Sequence, residues 1–94
     1  MAAFRVTNYA ITDHAWFEMK RRSIGEDVVR TILRSPRQTI DVRPGRIVLQ
    51  SIVLMGAMRQ EYLVRVFVDI DREPAEVVTV YRTSKIGKYW RTES

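Results

Sequence analysis

The fold is decided by residues 60–83, QEYLVRVFVDIDREPAEVVTVYRT, which contain two β-strand patterns joined by a turn. Apolar residues alternate over 60–70 and again over 76–83, and a period of two is typical of strands that present two different faces. Residues 71–74, DREP, have the composition of a turn. Because short connections join antiparallel neighbours, this stretch predicts a β-hairpin.

Two further strands are predicted before this hairpin. Residues 46–55, RIVLQSIVLM, form a long apolar run, and Gly56 lies in the loop that follows it. Residues 37–43 predict another strand, which ends at Pro44-Gly45, the pair expected at the centre of a type II turn. Residues 4–11 fit either a brief first strand or an extended arm. The main sheet is therefore predicted to have four antiparallel strands.

Two helices are predicted between residue 12 and Pro36. Thr12 can cap a helix over about 13–21, because its hydroxyl can accept a hydrogen bond from the first turn. Ser23 and Glu26 have the spacing of a capping box for a second helix, which Pro36 ends. With 94 residues, 46% of them hydrophobic, the chain predicts a single α+β domain over 1–94, in which two N-terminal helices pack on a four-stranded antiparallel sheet.

The alternation in the last two strands predicts which residues face the helices. The valine rows are expected under the helices: Val64, Val66, Val68, Ile70, Val78 and Val80. The opposite rows mix polar, aromatic and apolar residues and are expected to face a groove or solvent: Leu63, Arg65, Phe67, Asp69, Val77, Thr79, Tyr81, Thr83 and Lys85. Candidate functional residues are therefore sought on the mixed face.

The residue inventory restricts the chemistry. The chain has no cysteine and one histidine, its four glycines are isolated, and no apolar run approaches the ~18 residues of a membrane span. We therefore expect a cytoplasmic protein with no metal site, cofactor or membrane contact. The remaining candidates suit metal-independent RNA cleavage, in which side chains move protons and cations stabilise the phosphorane: His14, Arg22, Arg65, Tyr81, Lys85 and Lys88.

Each candidate also has a purely structural explanation. His14 can bond a backbone carbonyl, Tyr81 can close the edge of the core, and Arg22 can interact with the last carbonyls of its helix. Arg65 interrupts a hydrophobic strand and requires a partner, which Glu61 or Asp69 on the same face could supply. Tyr89 and Trp90 could stack on nucleic-acid bases, or they could only pack against the domain and hold the last residues in place.

The charge favours a polyanionic partner. The net charge is +5, with 13 arginines against 3 lysines, and most of the excess lies in the first half of the chain. Arginine suits bidentate phosphate contacts, and a basic domain attracts nucleic acid. A GC-rich genome would also replace lysine by arginine, so charge alone leaves RNA binding open.

Two motifs resemble a known family. Residues 11–36, ITDHAWFEMKRRSIGEDVVRTILRSP, resemble the opening pattern His-Ala-x-x-Arg-Met-x-x-Arg-x-Ile of a widespread bacterial and phage family of small proteins long labelled as of unknown function. Residues 77–90, VVTVYRTSKIGKYW, resemble its closing pattern, Val-Thr-Val-Tyr-Arg-Thr-x-Lys-x-x-x-Tyr. The resemblance covers about 11–90. The matching positions are His14, Ala15, Met19, Arg22, Ile24, Tyr81, Arg82, Thr83, Lys85 and Tyr89.

That family is grouped with the RelE/ParE toxin superfamily, and the resemblance implies a function. Ribonuclease members cut mRNA without metal, whereas ParE-like members bind DNA gyrase. The predicted catalytic residues are His14, Arg65, Tyr81 and Lys85, and the predicted RNA-binding residues are Arg22, Arg82, Lys88 and Tyr89. The resemblance covers all of them except Arg65 and Lys88, which come from the residue inventory. One departure is Glu18, where the family pattern has arginine; its carboxylate could pair with Arg22 or weaken cleavage.

Three functions therefore remain open from the sequence. The first is a toxin-like, metal-independent RNA endonuclease of a toxin–antitoxin or mobile-element system. The others are a non-catalytic protein-binding module, such as a gyrase poison or phage accessory protein, and a nonspecific nucleic-acid binder. The resemblance also implies a cognate, acidic antitoxin, whose contacts are expected at Lys20, Arg21, Arg30 and Arg34.

Overall fold

The computed structural model describes residues 6–92, in which one mixed β-sheet carries two helices on one face and a short helix on the other. The strands are β1 (Tyr9–Ile11), β2 (Gln38–Arg43), β3 (Arg46–Met55), β4 (Gln60–Asp69) and β5 (Ala75–Thr83). The helices are α1 (Asp13–Arg21), α2 (Glu26–Arg34) and α3 (Ile86–Tyr89). The α+β class is confirmed, with one strand and one helix more than the sequence predicted.

The sheet order is β1-β5-β4-β3-β2, and β2 to β5 form the predicted antiparallel series. Gly45 has φ +85° in the β2–β3 turn, as the second central position of a type II turn requires. The additional strand β1 pairs with β5 in parallel, Tyr9 opposite Ala75 and Ile11 opposite Val77. The sequence left residues 4–11 open between a brief first strand and an extended arm, and the structure forms the strand over Tyr9–Ile11. Its parallel pairing with β5 was not predicted, because three residues carry too little periodicity to indicate a partner.

Helix α1 begins as predicted and ends in a way that the sequence analysis missed. The Thr12 hydroxyl accepts a hydrogen bond from the Ala15 amide at 3.1 Å. At the other end, the Ser23 amide donates to the Lys20 carbonyl and the Ile24 amide donates to the Met19 carbonyl, the two bonds of a Schellman motif. Ser23 is in the left-handed region, with φ +57°.

The predicted capping box of α2 is therefore wrong. Ser23 belongs to the end of α1, and the residue that precedes α2 is Gly25, which forms no side-chain cap. The Schellman motif prevails because it buries Ile24 beside Met19 in the core, a tertiary gain that a local capping pattern does not include. Helix α2 still buries its predicted apolar stripe, with Val29, Ile32 and Leu33 inaccessible to solvent or nearly so.

The helix-facing side of the sheet confirms most of the valine prediction. Val64, Val66 and Val68 are fully buried, whereas Ile70 lies beyond the end of β4 and is 39% exposed. The faces of Val77 and Val78 were predicted the wrong way round. Val68 lies opposite Val77, whereas Phe67 lies opposite Thr79, so Val78 is the extra residue of a β-bulge. Beyond a bulge the alternation of side chains shifts by one residue, which places Val77 on the helix-facing side.

The opposite side of the sheet is less open than predicted. Val48 and Leu63, which lie on this side, are fully buried, and so is the amide side chain of Gln50. Helix α3 follows β5 and contacts this side through Tyr89. The mixed face is therefore a partly covered polar and aromatic layer rather than a solvated surface. Within residues 6–92, no helix has both the length and the apolar character needed to cross a membrane.

An ion pair at the end of β4 predicts a specific acid dependence of stability. Arg46 donates from Nε to Asp69 Oδ1 at 2.6 Å and from Nη2 to Oδ2 at 3.0 Å, and these bonds hold the pKa of the nearly buried Asp69 below its usual range. A depressed folded-state pKa stabilises the fold above the unfolded value, about 3.9, and that contribution is lost as pH falls through the folded value.

We therefore expect Asp69→Asn to lower the free energy of unfolding near pH 7, and the difference from wild type to shrink below about pH 4. Urea unfolding at a series of pH values measures this difference. Asp41→Asn, at an exposed position on β2, is the control and should leave the curve unchanged. A difference for Asp69→Asn that stays constant between pH 7 and pH 2 would contradict the assignment.

Candidate nucleic-acid interface

Four polar side chains form a continuous row across the mixed face of the sheet. Gln38, Gln50, Arg65 and Tyr81 lie directly opposite one another on β2, β3, β4 and β5. The Gln50 amide donates to Gln38 Oε1 at 2.8 Å and accepts from Arg65 Nε at 2.8 Å. Arg65 Nη1 then donates to Tyr81 Oη at 2.8 Å. Strand register places the members of this polar row next to one another, and their side-chain hydrogen bonds connect them across four strands.

Arg65 is the central cation of the polar row. Its guanidinium carbon lies 4.5 Å from the centre of the Tyr89 ring and 5.4 Å from that of Phe67, so aromatic rings pack around it. The predicted carboxylate partner is not used, because Asp69 pairs with Arg46 and, within residues 6–92, no carboxylate lies at ion-pair distance from Arg65. Its hydrogen-bond partners are neutral, which leaves a positive charge available to an anion.

The segment around α3 is held on the polar row mainly by side chains. Gln38 donates from Nε2 to the Arg91 carbonyl at 2.6 Å and accepts from the Arg91 amide at 3.0 Å, so its amide group bonds the chain as a neighbouring strand would. Gln50 donates to the Tyr89 carbonyl at 3.3 Å. Trp90 lies 5.7 Å from the Arg37 guanidinium. Tyr89 and Trp90 thus pack against the sheet.

Arg22, at the end of α1, also reaches the polar row. Its guanidinium carbon lies 5.9 Å from the centre of the Tyr81 ring, and its Nε donates to Glu18 Oε1 at 2.9 Å. Glu18 also accepts from Arg21, and hydrogen bonds from Arg22 and then Arg21 hold the pKa of Glu18 below its usual range. The predicted Glu18–Arg22 pair is confirmed, and it fixes the position of Arg22 beside Tyr81.

His14 and Lys85 are exposed and stand apart from the hydrogen-bonded row. His14 lies on the same stripe of α1 as Glu18 and Arg22, about 12 Å from Arg22 along the helix axis. Lys85 immediately precedes α3, and its amide donates to Thr83 Oγ1 at 3.0 Å. In the part of the chain that the structure describes, no side-chain hydrogen bond or ion pair connects His14 or Lys85 to the row.

The other predicted RNA-binding residues are divided between the two faces. Lys88 Nζ lies 5.4 Å from the Tyr89 ring, on the same side as the polar row. Arg82 lies opposite the buried Val64 and stacks on Tyr62 at 4.5 Å, so it does not join the row. The sequence analysis missed Gln38 and Gln50, because uncharged amides within apolar strands carry no functional signature; their only signal is an equivalent position in facing strands.

The arrangement suits anion binding rather than metal binding. Within residues 6–92, no group of three histidine, cysteine or carboxylate side chains could hold a metal ion. The polar row instead supplies a guanidinium donor, a phenol and flanking cations.

A model of a family described as a domain of unknown function, DUF4258, matches residues 11–82, about three quarters of the chain. No curated protein and no solved structure matches the chain.

Proposed function

The chain belongs to the DUF4258 family, and from that premise we propose that it binds RNA over the polar row and cleaves it without a metal ion, as a toxin-like endoribonuclease of the RelE/ParE type. The observation that carries this proposal is the 2.8 Å hydrogen bond from Arg65 to Tyr81. It holds a cation and a phenol side by side on a rigid sheet, and the two-helix, antiparallel-sheet architecture agrees with the proposed grouping.

The contacts of Tyr81 suit proton transfer. Its Oη accepts a hydrogen bond from Arg65, so its own proton remains available for an oxygen of the substrate. The Arg22 guanidinium also lies near this ring, 5.9 Å from its centre, and its charge is shared with Glu18. The phosphate of a bound RNA would therefore meet two guanidinium groups beside a proton donor, which is the electrostatic environment that stabilises a phosphorane.

The proposed reaction is attack of the RNA 2′-hydroxyl on the adjacent phosphorus. The 2′ oxygen forms a bond to phosphorus and gives its proton to a base, the bond to the 5′ oxygen breaks, and an acid protonates that leaving oxygen. The products are a 2′,3′-cyclic phosphate and a 5′-hydroxyl. His14 serves as acid or base, Tyr81 orients the phosphate or shares proton transfer, and Arg65 and Lys85 hold the phosphate.

The direct test is incubation of purified protein with RNA in excess EDTA, followed by analysis of the fragment ends. We expect 2′,3′-cyclic phosphate and 5′-hydroxyl ends. Intact RNA, or cleavage that requires an added metal ion, would contradict the proposal. Binding without cleavage would instead support the nonspecific nucleic-acid binder, and arrest of gyrase without RNA loss would support the gyrase poison.

His14→Ala and Lys85→Ala are each expected to lower cleavage by about 10²–10⁴-fold, because each removes a group that moves or stabilises charge in the transition state. Both side chains are exposed, so the free energy of unfolding should change by only about 0.5 kcal/mol. Cleavage rates and urea unfolding measured on the same preparations separate the two effects. Equal rates in wild type and both variants would remove these residues from the mechanism.

A protein partner is the second candidate function, favoured by a groove between α1 and α2. The groove has a volume of about 570 Å³, and its walls include Trp16 and Phe17, which are 43% and 60% exposed, together with Lys20 and the carboxylates of Asp13 and Glu26. Exposed aromatic side chains at a groove are typical of protein-binding sites. An amphipathic segment of the antitoxin would dock here through its apolar side, because apolar residues dominate the groove, whereas two carboxylates and one lysine among the described residues give it no basic surface.

Trp16→Ser combined with Phe17→Ser is expected to weaken the complex with the acidic protein encoded beside this gene by at least about 10²-fold, since buried aromatic anchors dominate such interfaces. Calorimetric titration with that purified protein measures the loss, and cleavage of free RNA should persist. The control is Val42→Ser with Leu54→Ser, two exposed apolar positions elsewhere on the sheet. Equal affinity of both double variants would contradict a docking site in the groove.

A further inference from the structure

A small cationic pocket lies where the chain entering β1 meets the end of α2. Its volume is about 300 Å³, and it is lined by Thr7, Tyr9, Arg30 and Arg34. The Val6 amide donates to the Leu33 carbonyl at 2.7 Å, which holds these two parts of the chain together. The pocket belongs to the helix side of the sheet, whereas the polar row lies on the other side, so one bound group cannot occupy both.

Among the described residues, the four side chains that line the pocket all carry hydrogen-bond donors. Arg30 and Arg34 are one helical turn apart, about 5–6 Å between Cβ atoms, so both guanidinium groups can approach one ligand. Tyr9 and Thr7 contribute hydroxyl groups on the facing wall. Tyr9 is half-buried and packs against the core, which fixes the position of its ring.

The pocket has an uncompensated positive charge. Within residues 6–92, its lining contains no carboxylate and neither Arg30 nor Arg34 forms an ion pair. Like charges one turn apart on a helix repel each other, and a bound anion between them would remove that repulsion. The structure thus places two exposed arginines at one pocket, and the proposed catalytic face uses neither of them.

We propose that this pocket binds a phosphate group, either as inorganic phosphate or as the terminal phosphate of a nucleotide or RNA. Two guanidinium groups can each bond two oxygens of a tetrahedral oxyanion, and the hydroxyls of Tyr9 and Thr7 can donate to the same oxygens, because each oxygen accepts more than one hydrogen bond. A carboxylate is a poorer fit, because its two oxygens cannot satisfy two forked donors and two hydroxyls at once.

The test is a nuclear magnetic resonance titration of the full chain with inorganic phosphate in chloride buffer at constant ionic strength. We expect saturable shifts of the backbone amides of Thr7, Tyr9, Arg30 and Arg34. A dinucleotide with a 5′-phosphate should shift the same amides more strongly than one with a 5′-hydroxyl if the source is RNA. Equal shifts by free phosphate and by the phosphorylated dinucleotide would assign the pocket to phosphate alone.

Two matched double variants show whether phosphate affinity depends on this pocket or only on the net positive charge of the protein. Arg30→Gln with Arg34→Gln should weaken phosphate binding by at least about tenfold. Arg21→Gln with Arg59→Gln removes the same charge from exposed positions outside the pocket and should leave the affinity unchanged. Equal weakening in both double variants would overturn the proposal, and so would the absence of saturation in wild type.

Competition decides between phosphate and a protein partner at this position. If an acidic peptide shifts these amides and phosphate does not displace it, the pocket is a protein contact and the proposal is wrong. Cleavage assays keep this result separate from the proposed ribonuclease function. The Arg30 and Arg34 variant should still cut short RNA, so its loss of phosphate binding with full cleavage supports a pocket that is separate from the cleavage site. Cleavage by a wild-type protein that does not bind phosphate would contradict only the pocket.

Discussion

Replacing Tyr81 with phenylalanine is expected to lower RNA cleavage by about 10²–10⁴-fold. The substitution retains the ring, which packs against Phe67 and Tyr89, and removes only the hydroxyl that Arg65 positions. Because the site is only partly buried, the free energy of unfolding should fall by no more than about 1 kcal/mol, the usual net value of one hydrogen bond. Single-turnover cleavage in EDTA, together with urea unfolding, measures both quantities.

The matched control is Tyr62→Phe. Tyr62 is also half-buried on the sheet and also faces an arginine, Arg82, at 4.5 Å from its ring centre, but it lies outside the polar row. Loss of the Tyr62 hydroxyl should leave the rate of RNA cleavage unchanged. If Tyr81→Phe cleaves as fast as wild type, or if both substitutions reduce cleavage equally, the phenol at position 81 has no role in the reaction.

Gln50→Ala is expected to destabilise the fold by roughly 2–4 kcal/mol, the largest stability effect of a single polar substitution that we predict. The side chain has 0% exposure and connects three groups: Gln38, Arg65 and the Tyr89 carbonyl. Truncation leaves a cavity at a position that has no access to water, and it removes the partner of Arg65 Nε. Within residues 6–92, every buried side-chain polar atom has a hydrogen-bond partner, so the substitution would create a defect that the native fold avoids.

Equilibrium urea unfolding measures this loss, and Gln60→Ala serves as the control. Gln60 is at the exposed start of β4, so its truncation should change the free energy of unfolding by only about 0.5 kcal/mol. A change below about 1 kcal/mol for Gln50→Ala would mean that the row is dispensable for the fold, and that its members are held by α3 and the strands alone.

Local patterns predicted those elements whose cause is local. The bounds of α1 and β3 agree with the sequence because a threonine cap and a long apolar run determine them. The errors arise where distant contacts decide. Ser23 ends α1 rather than starting α2 because burial of Ile24 favours the Schellman motif. The bulge at Val78 depends on alignment of two strands, which alternation within one strand does not reveal.

The candidate site was predictable in part for the same reason. Alternation correctly placed Arg65 and Tyr81 on one face, and the structure joins them directly. The partner of Arg65 was not predictable, because charge suggested Glu61 or Asp69 whereas strand register supplied Gln50. The position of His14 on the same helix stripe as Arg22 follows from helical spacing, but its distance from Lys85 depends on how α1 crosses the sheet.

The parallel pairing of β1 with β5 has a consequence for the order in which the chain folds. Strands β2 to β5 are joined by short turns, so they can assemble from contacts between near neighbours in sequence. The β1 pairing joins positions 9 and 75, and closing so long a loop has a large entropic cost before any contact forms. We therefore expect the antiparallel hairpins to form first and β1 to pair with β5 last. In that order, the polar row forms before β1 joins the sheet next to the helices that pack on its other face.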